Sequence, residues 1–140
     1  MNVVYQFQST IPYSLHDMRT SKVEMIEENI RFYFDEGYIE TKENFSQVAG
    51  NILIENVDFD FSYIHFLSDN GAYGDFIGKK MEIAKFMEDY NDFSFEIVDE
   101  TYGYNTVVYA GYLSLPDKEH LIDMSISLYY TGNIIYEVTD

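Results

Sequence analysis

The amino-acid sequence predicts an α+β fold, with a mostly antiparallel sheet of about six to seven strands and two helices packed on one face. Three observations favour this class. Apolar and polar residues alternate over much of the chain, two segments carry apolar residues at helical spacing, and the two kinds of segment are segregated. The expected order is β-α-β-β-α-β-β-β-β in a single domain over residues 1–140. With 46% apolar residues, a chain of this length can bury a core of its own.

The first third of the chain is expected to form a strand and a helix. Alternating apolar residues from Val3 predict a first strand that ends near Ile11. A helix is predicted to begin at Ser21, because Ser21 and Glu24 have the spacing of a capping box. Apolar residues then follow at helical spacing, at Val23, Ile26, Ile30 and Phe34. Gly37 stands where a left-handed C-terminal cap would be needed.

The rest of the chain is expected to form six strands and a second helix. Period-two alternation predicts strands over 48–54 and 57–65, with a turn near residues 55–56. The second helix is predicted over about 74–90, from a stripe formed by Ile77, Met81, Ala84 and Met87. Four further strands are expected around 93–97, 108–112, 122–130 and 134–138, and residues 131–133 are expected to form a tight hairpin turn.

The charge of the chain argues against several classes of function. It has 25 Asp and Glu against 8 Lys and Arg, a formal net charge of −17. Direct binding to DNA, RNA or an anionic membrane is disfavoured because their phosphates would be repelled, and a basic protein is the natural complement. Cysteine is absent, so no thiolate catalysis or cysteine-based metal site is expected. Without an apolar run of membrane-spanning length or a secretion signal, the sequence predicts a cytoplasmic protein.

No motif supports an enzyme, a metal site or a cofactor. The segment 71–80 leads into the second predicted helix and contains Gly78-Lys79, but it lacks the glycine spacing and the hydroxyl residue of a phosphate loop. The segment that begins at Asp69 lacks the alternating oxygen ligands of a calcium loop. A third alternative is an enzyme site built on Asp58, Asp60 and His65, with both aspartates on one face of a strand. An acid, a base and an oxyanion donor are not assigned together, so the chain is expected not to be an enzyme.

Acidic residues concentrate in two stretches of the sequence. The first comprises Glu27, Glu28, Asp35, Glu36, Glu40 and Glu43. The second comprises Glu82, Glu88, Asp89, Asp92, Glu96, Asp99 and Glu100. It leads into a predicted hairpin loop over 99–105 that adds two tyrosines, a mixture typical of protein interfaces. From this second stretch the sequence predicts a partner-binding surface formed by Glu88, Asp89, Asp92, Glu96, Asp99, Glu100, Tyr102 and Tyr104.

These features favour a non-enzymatic inhibitor that blocks a basic, nucleic-acid-binding protein by imitating a phosphate backbone. Its size, acidity and lack of motifs are similar in type to phage anti-defence proteins, anti-CRISPR proteins included. The same features fit an immunity protein that neutralises a basic toxin nuclease. The alternative from another class is a domain that binds a small or cationic ligand in an aromatic pocket formed by Phe59, Phe61, Tyr63 and His65. The oligomeric state is left open.

Overall fold

A computed structural model describes residues 1–8, 10–42 and 44–139, which form a predominantly β structure. One α-helix, α1 (Ile83–Asp89), and two 3-10 helices (Phe59–Phe61 and Gly71–Tyr73) occur among these residues. The strands are β1 (Asn2–Tyr5), β2 (Tyr13–Ser14), β3 (Met18–Ile26), β4 (Asn29–Phe34), β5 (Tyr38–Glu40), β6 (Gln47–Val48), β7 (Gly50–Ile54), β8 (Tyr63–Asp69), β9 (Phe76–Glu82), β10 (Ser94–Tyr102), β11 (Thr106–Ser114), β12 (Ile122–Tyr129) and β13 (Ile134–Val138).

The strands are arranged in two antiparallel sheets. The large sheet has ten strands in the order β1-β13-β7-β4-β3-β10-β11-β12-β8-β9, and the small sheet has the order β2-β5-β6. The prediction of six to seven strands with two helices on one face is therefore wrong, although the pairing is antiparallel as expected. Residues that point into the core alternate with outward-facing residues along most strands of the large sheet.

The large sheet curls back on itself, so that strands far apart in its order face each other. The ring centroids of Tyr5 on β1 and Tyr102 on β10 are 5.3 Å apart, although four strands separate β1 from β10 in the sheet. Phe32 on β4 contacts Tyr109 on β11 in the same way, at 5.7 Å. The core lies between the facing parts of the sheet.

The small sheet and α1 pack against this core from different sides. Tyr13 and Tyr38 of the small sheet lie 5.0 and 5.6 Å from the ring of Tyr136 on β13. Phe86 of α1 contacts Phe66 on β8. Aromatic rings therefore form much of the packing between these elements.

The predicted first helix is instead the β3–β4 hairpin. Ile30, Phe32 and Phe34 are buried at period two, and the turn between the strands places Glu27 at a φ of 57°. Because this turn shifts the phase of the alternation, the apolar residues on its two sides imitate a helical stripe. The hydroxyl of Ser21 does not cap a helix but donates to the carboxylate of Asp35 at 2.7 Å.

The predicted second helix is wrong in its first half. Residues 76–82 form β9, which pairs with β8 at the edge of the sheet, and the helix covers only 83–89. Gly78 has a φ of 67°, which is incompatible with the interior of an α-helix.

Three smaller expectations also fail. The strand predicted over 57–65 is interrupted at 59–61 by a 3-10 helix, and the first strand ends at Tyr5 rather than near Ile11. Residues 131–133 are not a hairpin turn, because β12 and β13 do not pair. Residues 131–133 instead connect two parts of the large sheet that are distant in strand order, since β13 pairs with β1 and β7.

Candidate partner-binding surface

A β-bulge in β10 divides the predicted partner-binding residues between the surface and the interior. Ile97 lies opposite Gly111 and Asp99 lies opposite Ala110, so Val98 is one residue too many for the ladder. Before the bulge the odd-numbered residues point into the core, and after it the even-numbered residues do. Glu100 and Tyr102 therefore face inwards.

Gly111 makes the bulge sterically possible. A Cβ atom at this position would collide with the backbone carbonyl of Glu96 on the neighbouring strand. The glycine lets the two backbones approach each other at the place where the ladder shifts by one residue.

The carboxylate of Glu100 is held inside the protein by two hydrogen bonds. The hydroxyl of Tyr102 donates to Oε1 at 2.6 Å, and the backbone N–H of Leu15 donates to Oε2 at 2.8 Å. Burial raises the pKa of the Glu100 carboxyl and Asp99 adds to this, whereas the two hydrogen bonds and His16 act in the opposite direction. Glu100 thus links β10 to the segment that follows β2, and does not form part of an exposed acidic face.

Buried tyrosine hydroxyls surround Glu100. The hydroxyls of Tyr5, Tyr109 and Tyr136 are fully buried and form no hydrogen bond of good geometry among the described residues. The hydroxyl of Tyr102 lies close enough to those of Tyr109 and Tyr136 to lower their pKa values against the effect of burial. Burial raises the pKa values of Tyr102, Tyr109 and Tyr136. A core with one carboxylate and three hydroxyls that lack a hydrogen bond of good geometry is an unusual departure from the rule that buried polar groups are paired.

Two of the predicted acidic residues near α1, Asp89 and Asp92, lie close to cations. Glu88, Asp89 and Asp92 stand at the C-terminal end of α1, and Lys85 lies 3.3 Å from Asp89. Asp89 and Asp92 line a cleft of about 630 Å³ that also contains Lys79 and Lys118.

At the start of β10, Glu96 forms an ion pair with Arg19 at 3.2 Å. Tyr104 lies beyond the far end of β10, about 30 Å from Asp92 by the length of the intervening strand. The eight predicted residues therefore do not form one continuous surface.

Tyr104 belongs to a different surface, at the end of the molecule where exposed aromatic rings lie beside carboxylates. We call it the acidic end and define it by Phe7, Glu28, Asp58, Asp60, Phe61, Tyr104 and Tyr129. All four aromatic rings are exposed, Tyr104 by 77% and Phe61 by 64%.

A ring contact and backbone hydrogen bonds hold the parts of the acidic end together. The rings of Phe7 and Tyr104 meet edge to face at 6.1 Å. The backbone N–H of Asp58 donates to the carbonyl of Tyr129 at 2.8 Å, and that of Val57 donates to the carbonyl of Glu28. The surface is thus assembled from segments distant in sequence.

Two neighbouring clefts shape the acidic end. One, of about 610 Å³, is lined by Glu28, Asn56, Val57, Asp58, Phe59, Asp60 and Thr131. The other, of about 360 Å³, is lined by Tyr5, Gln6, Phe7, Tyr104, Asn105, Tyr130, Thr131, Gly132 and Asn133. Thr131 belongs to both, and no Lys or Arg is among the residues that line them.

The aspartates of the acidic end do not stand on one face of a strand, as the sequence suggested. Asp58 precedes the first 3-10 helix, and its carboxylate accepts the backbone N–H of Asp60 at 3.1 Å. Within the described part of the chain, no group of three or more carboxylates and imidazoles is arranged to hold a metal ion.

The residues expected to form an aromatic pocket are also separated. Phe59 packs partly against the core, Phe61 points into solvent, and the ring of Tyr63 lies under the ammonium of Lys80 at 3.8 Å. His65 is on the outer side of β8, between Ser125 and Lys80. Of the four, Phe59 alone lines the cleft beside Asp58.

Sequence reasoning missed Phe7, Phe61 and Tyr129 as surface residues. Phe61 is in phase with Phe59 in a strand, and only the 3-10 helix turns it outwards. Glu43, in the first acidic stretch, lies outside the described residues.

Comparison of the chain with known protein families, with curated proteins and with solved structures finds no match. None of the helices formed by the described residues has the length and apolar composition needed to cross a lipid bilayer.

Proposed function

We propose that this protein is a non-enzymatic inhibitor whose acidic end occupies a basic, nucleic-acid-binding groove of a partner protein. The observation that carries the proposal is the combination, at one end of the molecule, of four exposed aromatic rings with a cleft that carboxylates line. Neither this cleft nor the neighbouring aromatic and amide-lined cleft has a Lys or Arg among its lining residues. Exposed aromatic residues anchor protein interfaces, while carboxylates select a positively charged surface.

The net charge of −17 supports the proposal at longer range. A field of this size steers a cationic partner and raises association rates by about 10- to 1,000-fold at low ionic strength. A groove that binds nucleic acid already carries the complementary charge, so the inhibitor and the nucleic acid compete for the same site. Phage anti-defence inhibitors and toxin-immunity proteins are the two biological roles that this chemistry fits.

The test compares two variants that lose the same charge at different places. The first carries Glu28→Gln, Asp58→Asn and Asp60→Asn in the acidic end. The second carries Glu88→Gln, Asp89→Asn and Asp92→Asn at the end of α1, and both bring the net charge from −17 to −14. Each variant and the wild-type protein are immobilised, exposed to a lysate of the native host, and eluted with a salt gradient.

The wild-type protein and the α1 variant are expected to retain a basic nucleic-acid-binding protein that DNA or RNA displaces, whereas the acidic-end variant loses it at lower salt. The purified prey should then lose its nucleic-acid binding when the wild-type chain is added. Retention by the acidic-end variant and loss by the α1 variant would contradict the proposed surface. Failure to retain any basic protein would contradict the proposed function.

The cleft of about 630 Å³ favours a second candidate function, the binding of a small ligand. Phe66 and Tyr90 supply aromatic walls, and Lys79 and Asp89 supply charges of both signs, which suits a zwitterionic molecule. A thermal-shift screen with zwitterionic metabolites tests this function. Tyr90→Ala should abolish any stabilisation found, and the acidic-end variant should retain it.

A further inference from the structure

The exposed aromatic rings of the acidic end belong to segments that adjoin one another in a series. The rings of Phe7 and Tyr104 meet edge to face at 6.1 Å. Tyr104 lies in the loop that leads into β11, and the start of β11 pairs with the end of β12, which carries Tyr129. The backbone N–H of Tyr129 donates to the hydroxyl of Ser62 at 3.1 Å, and Ser62 directly follows Phe61. The series therefore runs from Phe7 to Phe61.

The carboxylates of the acidic end lie among these rings. Asp58 is tied to two of the ring-bearing residues, because its backbone N–H donates to the carbonyl of Tyr129 and its carbonyl accepts the N–H of Phe61. Asp60 directly precedes Phe61, and Glu28 lines the same cleft as both aspartates. Rings and carboxylates are thus interspersed on one surface and do not form separate patches.

The charge of this surface is negative even when neighbouring cations are counted. The β3–β4 turn adds a further exposed carboxylate, that of Glu27. Two cations stand near these segments. Arg31, on the strand that follows the turn, forms an ion pair with Glu137 at 2.8 Å, and Lys80 stands two residues before Glu82, on the same side of β9. Because each cation is matched by a carboxylate of its own, those of the acidic end stay unbalanced.

Such a surface resembles one form of nucleic acid more than another. In a duplex the faces of the bases are stacked on each other, and a protein reaches only their edges in the grooves. In a single strand the faces of the bases are open. Proteins that bind single strands therefore combine a positively charged groove with aromatic side chains on which the bases stack. Exposed rings interspersed with carboxylates are complementary to a groove of this second kind.

We propose that the acidic end imitates a single strand of nucleic acid, so that the partner is a protein that binds single-stranded DNA or RNA. This inference rests on the proposed function and adds to it the form of nucleic acid that the inhibitor replaces. The rings of Phe61 and Tyr104 take the places of bases on the aromatic platforms of the partner. The carboxylates of Asp58 and Asp60 take the places of phosphates.

The principal test displaces the partner with nucleic acids of defined form. The wild-type protein is immobilised, loaded with a lysate of the native host and washed with an oligothymidine of about 20 nucleotides, longer than the ~4–16 nucleotides that one single-strand-binding domain covers. An oligouridine and a DNA duplex of the same length are used in parallel, at equal concentrations of phosphate. One of the two single strands is expected to release the retained basic protein at a concentration at least about tenfold lower than the duplex does.

Two outcomes of this test have different meanings. Release by the duplex at the same or a lower concentration overturns the single-strand inference and leaves the proposed inhibitor function standing. Failure to retain any basic protein contradicts the proposed function, and the inference falls with it.

A second measurement separates the rings from the charge. The end-ring variant carries Phe61→Ser and Tyr104→Ser, and the control variant carries Phe76→Ser and Tyr73→Ser, which remove equally exposed rings near β9. Both keep the net charge of −17. Loss of stacking should weaken binding of the purified partner by the end-ring variant by at least about tenfold, and by a similar factor at low and high salt. The control variant should bind as the wild-type protein does.

Equal dissociation constants for the two ring variants overturn the proposal, because the rings of the acidic end then play no part in binding. Circular dichroism checks that both variants fold. If the end-ring variant does not fold, Tyr104→Ser alone is compared with Tyr73→Ser, and equal dissociation constants for these two single variants overturn the proposal.

Discussion

At the scale of single residues, Glu100 is the side chain that least fits its surroundings. A carboxylate among buried tyrosines loses hydration, and its hydrogen bonds from Leu15 and Tyr102 only partly replace it. Because burial raises its pKa in the folded protein, the folded state binds the proton more tightly than the unfolded state does. Ionised Glu100 therefore lowers the free energy of unfolding, most fully above its folded-state pKa.

Glu100→Gln is expected to stabilise the protein near pH 8, by on the order of 1 kcal/mol, because the amide keeps an acceptor for Leu15 without a charge. The gain should shrink as the pH falls below the folded-state pKa, since the wild-type carboxyl is then neutral too. Denaturant unfolding between pH 4 and pH 8 measures both effects. Glu96→Gln, at a carboxylate paired with Arg19, serves as control, and a gain that does not change with pH would contradict this reasoning.

The tyrosine hydroxyls around Glu100 should differ in their contribution to stability. Tyr102→Phe removes a hydrogen bond to a buried carboxylate and should cost about 1–3 kcal/mol. Tyr109→Phe removes a buried hydroxyl that forms no hydrogen bond of good geometry among the described residues, so it should be neutral or slightly stabilising. Urea unfolding of the two variants measures the difference, and equal losses would show that Tyr109 is hydrogen-bonded in solution.

At the scale of elements, the bulge in β10 decides which residues the surface presents. Gly111→Ala would drive a methyl group into the carbonyl of Glu96, and we expect a loss of more than about 2 kcal/mol in unfolding free energy. Gly103→Ala is a matched control, because its Cβ would meet mainly the movable side chain of Thr106. Thermal unfolding distinguishes the two, and equal losses would mean that the bulge tolerates a side chain.

The alternation of apolar and polar residues correctly predicted the strands in which the pattern keeps the same phase from end to end. Strands β11, β12 and β13 are of this kind, each with buried residues at every second position. The β3–β4 hairpin was misread because its turn at Glu27 shifts the phase of the alternation. The orientation of Glu100 could not be predicted, because the extra residue Val98 exchanges the inward-facing and outward-facing positions in the part of β10 that follows it.

The candidate site was predicted only in part. The loop that carries Tyr104 joins two paired strands, as expected, but it is shorter than the predicted loop over 99–105, because residues 99–102 belong to β10 and only 103–105 lie outside the strands. The other residues of the acidic end come from the segment after β1, the β3–β4 turn, the region of the first 3-10 helix and β12, and no local pattern brings these segments together. Such a surface depends on the curl of the whole sheet, which is set by long-range pairing.

At the scale of the whole molecule, excess negative charge opposes compaction. Self-repulsion among charges in a chain of −17 is screened by salt, whose Debye length falls from about 30 Å at 0.01 M to about 3 Å at 1 M. We expect the Tm to rise by at least about 3 °C between 0.01 M and 0.5 M NaCl. The α1 variant, with a charge of −14, should show a smaller rise, and a Tm independent of salt would contradict the prediction.

The strand order also links distant ends of the chain. β1 pairs with β13, and Met1 and Val138 exchange backbone hydrogen bonds of 2.8 Å across 137 positions. Closing a loop of this length is entropically costly and slows folding, so most of the large sheet must be in place before its first strand finds a partner. During synthesis on the ribosome, β1 therefore has to wait for nearly the entire domain. A chain halted before Ile134 would expose the edges of both β1 and β7, so the synthesis of β13 is a condition for closing this part of the sheet.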